Sequence, residues 1–215
     1  MFADKQQVTE LVAVQLKNIF ATNANIESFQ DTVMKRVERC FINCGNKYYS
    51  KDNDFVFSPF HSVQYSIYLY YLANTIFREK GNHDLSTKIY YLNKVMNCVD
   101  WYYEISLPDI FCAEHPIGSV MGRATYSNKF FFYQGCTVGG SNGKYPVLGE
   151  NLIMYSNTTI LGNSLVGSNV VLSSGTLIVN EEIPENSIVF GRSPNLTIKQ
   201  KSEEEILKLT SRFWK

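Results

Sequence analysis

The chain has 215 residues, 45% hydrophobic and 14% aromatic, which suits one large domain or two small ones around a real core. Twenty basic residues balance twenty acidic ones, arguing against nucleic acid or an anionic membrane as the main partner. The apolar runs fall short of the ~20 residues of a membrane span. The start, MFADKQQ, shows no basic-then-apolar signal, so a cytoplasmic protein is expected.

The first half reads as helical. Val8, Leu11, Val12, Leu16 and Phe20 recur at three- and four-residue spacing and give one apolar face. A second helix is predicted from about Ile26 to Phe41, stopping near Gly45. A long aromatic helix should run from Ser58 to Lys80, with basic residues and Gly81 at its end. A fourth follows from Leu85 to about Val99, with Asp84 placed to cap it. The helical pattern ends near Trp101. From Glu104 onward proline, glycine and β-branched residues take over, so the expected division is 1–103 helical, 104–195 repeat, 196–215 tail.

From Leu148 the chain repeats every six residues, through Met154, Ile160, Val166, Leu172 and Ile178. This period fits neither helix nor alternating strand. It fits a solenoid whose flat faces each take one hexapeptide with the aliphatic residue inward. Short residues at the fifth place, Thr158, Ser164 and Thr176, let the chain turn the corners. The register runs backwards through Val138, Phe132 and Tyr126, slips by one before Met121, and leaves about four residues of GGSNGKYP (139–146) to bulge as a loop. The tail reads as a short amphipathic helix from about Ser202, with Glu205 fitting a capping box. Cys40, Cys44, Cys98, Cys112 and Cys136 show no metal-ligand pairing and are odd in number. Reduced thiols and no bound metal are expected.

Four segments, in order, resemble the serine acetyltransferases within the hexapeptide-repeat acyltransferases. FHSVQY (60–65) resembles the family's FHALQAYR-type helix start, and EHPIGSVMG (114–122) its DHATG segment. QGCTVGGS (134–141) resembles QxVTLGGT, and IPENSIVFG (183–191) the closing V-P-x-[NH]-[ST]-x-x-x-G. The resemblance implies an α+β fold: an N-terminal α-helical domain, a left-handed parallel β-helix of hexapeptide repeats, and a short C-terminal helix. It implies an acetyl-CoA-dependent O-acetyltransferase resembling serine O-acetyltransferase, acetyl-CoA being a co-substrate. It also implies a homotrimer, or a hexamer where two trimers pair through the helical domain.

By the same matching His115 is the general base, taking the proton of an acceptor hydroxyl that attacks the thioester directly. Assistance of that kind is worth about 10²- to 10⁴-fold. Its carboxylate partner is expected to be Glu104, in the position of the family's aspartate, with Asp109 competing because it stands nearer. Glu114 replaces an aspartate that contacts the acceptor's amino group. Lys144-Tyr145-Pro146 stands where the family has Arg-His-Pro, so Lys144 and Tyr145 are candidate acceptor contacts. A lysine pairs with a carboxylate only as a point charge, and a tyrosine ring suits a sugar. Gly139, Gly140, Ser141, Ser156 and Ser174 fall where the family lays the pantetheine arm, with Arg192 a candidate for a CoA phosphate. Backbone near Gly139-Gly140 is a candidate oxyanion donor.

The bland readings are weighed beside these. His61 is expected to be structural and His83 solvated, and Cys112 is the rival nucleophile for a ping-pong route. The serine positions read equally as corner packing. A sugar, nucleotide sugar or polysaccharide precursor is the alternative acceptor. A non-catalytic trimeric solenoid scaffold is the alternative of another class, against which His115 and the Gly-Gly turn argue. Phe213-Trp214-Lys215 does not match the tail with which some family members dock into cysteine synthase, so that partnership is not expected.

Overall fold

The computed structural model describes residues 4–51 and 54–215. Four helices come first: α1 (Lys5–Phe20), α2 (Gln30–Ile42), α3 (Ser62–Lys80) and α4 (His83–Asn97). Val8, Val12 and Leu16 of α1 are buried, as their spacing predicts. Central to the group is α3, in which every residue from Val63 to Ile76 is buried. Polar groups in so buried a helix need partners: Tyr68 meets Gln30 and Thr75 meets Arg36 on α2, while others reach irregular chain. Gln64 Nε2 donates to the Tyr48 carbonyl (2.7 Å), and Asn74 Nδ2 to that of Tyr103 (2.7 Å). The Tyr70 hydroxyl donates to the Ile105 carbonyl (2.8 Å) and accepts the Leu107 N–H (2.9 Å). Burial pushes that phenol up to about 12, so it stays a donor at neutral pH. The tyrosine-rich helix thus serves as the spine against which residues 103–109 are laid.

Three helix starts differ from expectation, the first being α3, which opens at Ser62 behind the cap His61 and not at Ser58. The cap of α4 is Asn82, whose side chain accepts the Leu85 N–H at 3.1 Å. Asp84 instead lies in the first turn and pairs with Lys88 (2.7 Å). A single 3₁₀ turn, Glu27–Phe29, precedes α2. At the other end of α3 the expected Gly81 does close the helix, at φ 60.

The rest is a parallel solenoid with three faces. The first stacks Phe111–Ala113, Phe130–Phe132, Leu152–Met154, Val170–Leu172 and Ser187–Arg192. The second stacks Asp100–Trp101, Val120–Met121, Thr137–Gly139, Thr159–Leu161 and Leu177–Val179. The third holds Thr125–Tyr126, Val147–Leu148, Leu165–Val166 and Glu182–Ile183. Leu148, Met154, Ile160, Val166, Leu172 and Ile178 are all buried along the axis, as the six-residue period requires. Asp100–Trp101 pairs with Val120–Met121, and Trp101 Nε1 donates to the Ser119 hydroxyl (2.9 Å). The second face therefore has a strand ahead of residue 104.

Corner chemistry follows the same period. Thr158, Ser164 and Thr176 are fully buried, and two of them return a hydrogen bond to the corner they turn. Ser164 Oγ donates to the Leu161 carbonyl and Thr176 Oγ1 to that of Ser173, each at 2.7 Å. On the corner from the third face to the first, Asn151, Asn169 and Asn186 all have positive φ, which asparagine tolerates. Their amides form a ladder: Asn151 donates to Asn169 and Asn169 to Asn186, each at 3.0 Å.

An antiparallel hairpin, Ser187–Arg192 with Asn195–Gln200 across a cis Ser193-Pro194 bond, closes the solenoid. Then comes α5 (Glu203–Thr210), opened by the expected capping box of Ser202 and Glu205. It lies over the first face with Ile206 and Thr210 buried, and the Phe213 ring packs tilted against Phe131 at 4.3 Å. Beyond it the chain returns to the helices. Gly45 N–H donates to the Phe213 carbonyl (2.8 Å) and Lys215 N–H to that of Asn43 (3.0 Å), while Trp214 Nε1 reaches Asn151 Oδ1 (2.9 Å). Ser202→Ala is expected to cost about 1 kcal/mol in a urea melt, against a few tenths for Ser202→Gly. Among the described residues no helix is long and apolar enough to cross a membrane.

Candidate active site

His115 stands where the solenoid breaks its own rule. The Glu114 N–H donates to the Phe132 carbonyl (3.2 Å), which matches Glu114 to Tyr133 of the next coil. The Gly135 N–H donates to the Ile117 carbonyl (3.0 Å), which matches Ile117 to Gln134. His115 and Pro116 are thus two residues more than the corner needs. The excess pushes His115 off the ladder, exposed and at φ 48, a region sparsely used by residues other than glycine. Strained backbone of this kind persists where the surroundings hold it. Here strand Phe111–Ala113 fixes one side and Pro116 the other.

The insertion faces a cleft of about 390 Å³ between the first coil and the helices. His115, Glu114 and Ala113 line it from the solenoid, and Asn46, Tyr48, Phe60 and His61 line it from the helical side. His61 caps α3, its Nδ1 accepting the Gln64 N–H at 3.4 Å. Burial, then the nearby His115, holds the His61 ring below the ordinary imidazole range. Glu114 also meets the Tyr133 hydroxyl; burial and then this carboxylate hold that phenol well above its ordinary value. The sequence suggests a structural role for His61 at a helix start among aromatics. The capping is there, but α3 begins at the cleft, a juxtaposition of residues 61 and 115 that no local pattern encodes.

Neither expected carboxylate reaches His115 within the chain. Glu104 lies against His83, 3.7 Å from its Nδ1, and Asp109 pairs with Arg39 at 3.2 Å. Both sit in the segment that α3 holds along its own length, which turns them away from the cleft. Among the described residues no carboxylate forms an ion pair with His115. Cys112 points into the core, 1% exposed, so it offers no thiol to a bound substrate. All five cysteines are free, and no group of three or more His, Cys, Asp or Glu among the described residues is placed to hold a metal.

The loop after Gly139 is an insertion of the expected size. Pairing of Gly139 with Leu161 and of Val147 with Leu165 leaves seven residues (140–146) where the next coil uses three (162–164). Its tip is a tight turn. Ser141 and Lys144 exchange both backbone hydrogen bonds at 3.0 Å, and Asn142 and Gly143 both have positive φ, the geometry for which Asn-Gly is preferred. Tyr145 lies back over Gly140, where a Cβ would sit 2.6 Å from the ring. Lys144 and Tyr145 are exposed. They leave the far end of the second face, whereas His115 precedes its near end, so the width of that face separates them within one chain.

Ser156 and Ser174 stand above His115 on its own corner, their hydroxyls 3.2 Å apart. Gly139, Gly140 and Ser141 belong to the loop corner instead, and Arg192 is exposed on the closing hairpin. The candidate residues therefore divide between two edges of the prism. One carries His115, Glu114, Ser156 and Ser174; the other carries Gly139 to Tyr145.

No family model and no curated protein matches the chain by sequence. Solved structures do match its fold. Serine acetyltransferase from Vibrio cholerae superposes with a TM-score of 0.74 over 94% of this chain and 83% of that one, at 19% identity. The Neisseria gonorrhoeae enzyme gives 0.72 over 93% and 82%, at 18% identity. Serine acetyltransferase from Brucella abortus in complex with coenzyme A gives 0.70 over 93% and 83%, at 18% identity. The likeness covers helices and solenoid together, so the chain has the fold that its repeat and motifs led us to expect.

Proposed function

We propose that this chain is an acetyl-CoA-dependent O-acetyltransferase resembling serine O-acetyltransferase, with His115 as general base. The observation that carries the reading is the His115-Pro116 insertion, which presents a free imidazole to a cleft on the one corner that also stacks Ser156 and Ser174. His115 takes the proton of the acceptor hydroxyl as the oxygen bonds to the acetyl carbon. It returns that proton to the sulfur as the thioester C–S bond breaks. No acyl-enzyme is required, and positioning two substrates in one cleft supplies much of the rate. The solved relative that holds coenzyme A supports the choice of donor.

The separation of the two edges supports a homotrimer in which the 139–146 loop of one subunit approaches the His115 corner of the next. A hexamer arises if the helical domains then pair. A sedimentation mass tests the assembly; a monomer at assay concentration removes the shared site.

L-Serine is the first acceptor. The second is a sugar hydroxyl, favoured by Tyr145 in the loop and by the rings of Tyr48 and Phe60 at the cleft. Purified protein given acetyl-CoA is expected to release free thiol with one of L-serine, a hexose or a nucleotide sugar. If every acceptor leaves the thioester intact, the enzyme reading falls. Lys144→Ala then separates the two acceptors. Loss of a charge-assisted hydrogen bond should raise KM for a carboxylate-bearing acceptor by about 10- to 100-fold and leave KM for a neutral sugar unchanged.

A further inference from the structure

His61 is anchored at one ring nitrogen and open at the other. Nδ1 accepts the Gln64 N–H at the start of α3. A neutral ring that accepts at Nδ1 must carry its proton on Nε2. The ring is half-buried and burial favours its neutral form, so one tautomer is selected. The same ring lines the cleft with Glu114 and His115. A capping histidine therefore presents an N–H of fixed direction toward the space where a hydroxyl would meet His115.

We propose that His61 Nε2–H is a hydrogen-bond donor to the acceptor and helps determine its specificity. It would hold an oxygen next to the hydroxyl that His115 deprotonates. The proposal rests on the reading of this cleft as the acceptor site of an acetyltransferase. The ligand chemistry is an acceptor with a second oxygen beside its reactive hydroxyl, supplied by a vicinal hydroxyl of a sugar or by the carboxylate of a hydroxy amino acid. A neutral donor suits the position, because it adds no positive charge beside a histidine that becomes cationic during transfer. The adjoining Glu114 meets such an acceptor from the solenoid side and His61 from the helical side.

The capping and binding roles separate by substitution. In His61→Ser the hydroxyl still caps α3 but is too short to reach the cleft. This variant should keep the wild-type melting temperature and the KM for acetyl-CoA while raising KM for the acceptor about three- to tenfold. His61→Gln, which restores a side-chain N–H of similar reach, should recover part of that loss. Running each variant with L-serine and with methyl glucoside identifies which source of the second oxygen is used. Nitrogen NMR of the wild-type imidazole should show the Nε2–H tautomer. An Nδ1–H tautomer, or a His61→Ser enzyme with wild-type acceptor KM, overturns the role of His61 and leaves the acetyltransferase reading standing. Failure of the wild-type protein to cleave the thioester with any acceptor overturns both.

Discussion

His115→Asn is expected to lower kcat for thioester cleavage by about 10²- to 10⁴-fold, the range for removal of a general base. Asparagine is the informative replacement because it accepts the left-handed backbone that His115 adopts at φ 48. The corner should therefore keep its shape, and any loss reports chemistry rather than a collapsed turn. Alanine resists that backbone more, so His115→Ala is the less clean variant. Steady-state assays with saturating acetyl-CoA and acceptor supply the test. A variant that keeps wild-type kcat would remove His115 from the mechanism. It would leave the cleft as a binding site without a base.

The largest effect on stability should come from Phe132→Ala, at about 3–5 kcal/mol. Phe132 is fully buried on the first face, where it meets Trp101 edge-on at 5.3 Å, Phe130 at 5.2 Å and Phe111 at 6.4 Å. These rings join the first two coils to the segment leading out of the helices. Truncation leaves a cavity that three other rigid rings cannot collapse to fill, which puts the cost at the upper end for core substitutions. For a chain of this size, midpoint temperature should fall by roughly 6 to 20 °C. A urea melt of the purified variant checks it. A loss below about 1 kcal/mol would mean that this ring cluster does not bear on the fold.

The solenoid was legible in the sequence because its period is enforced by geometry at every coil. Leu148 to Ile178 point inward for one reason repeated, and a single inward charge would be conspicuous. The four-residue loop insertion was legible as a break in that register. The asparagine ladder of residues 151, 169 and 186 was not recognised, although its eighteen- and seventeen-residue spacing stands in the sequence. Its meaning depends on a left-handed corner that only the coil geometry creates. The helix that became α4 shows a smaller ambiguity: Asn82 and Asp84 are both good caps, and the turn after Gly81 decides between them. Glu104 and Asp109 show the limit of motif matching in a shortened segment. Spacing from His115 suggested them, but the hydrogen bonds of Tyr70, Tyr71 and Asn74 to the 103–109 backbone settle where that segment runs. His61 shows the limit of local reading, because its nearness to His115 arises from packing between distant parts of the chain.

The return of residues 213–215 to residues 43–45 has a consequence for the order in which the molecule assembles. The segment that carries Asn46 and Tyr48 to the cleft is tied by backbone hydrogen bonds to a partner some 170 residues away. Contacts so distant in sequence form late. The helices and the first coils can take shape while that wall of the cleft is still loose. The cleft is thus completed by one of the last strokes of folding, and amide protons of residues 43–48 should exchange in step with those of 213–215 rather than with α2 beside them.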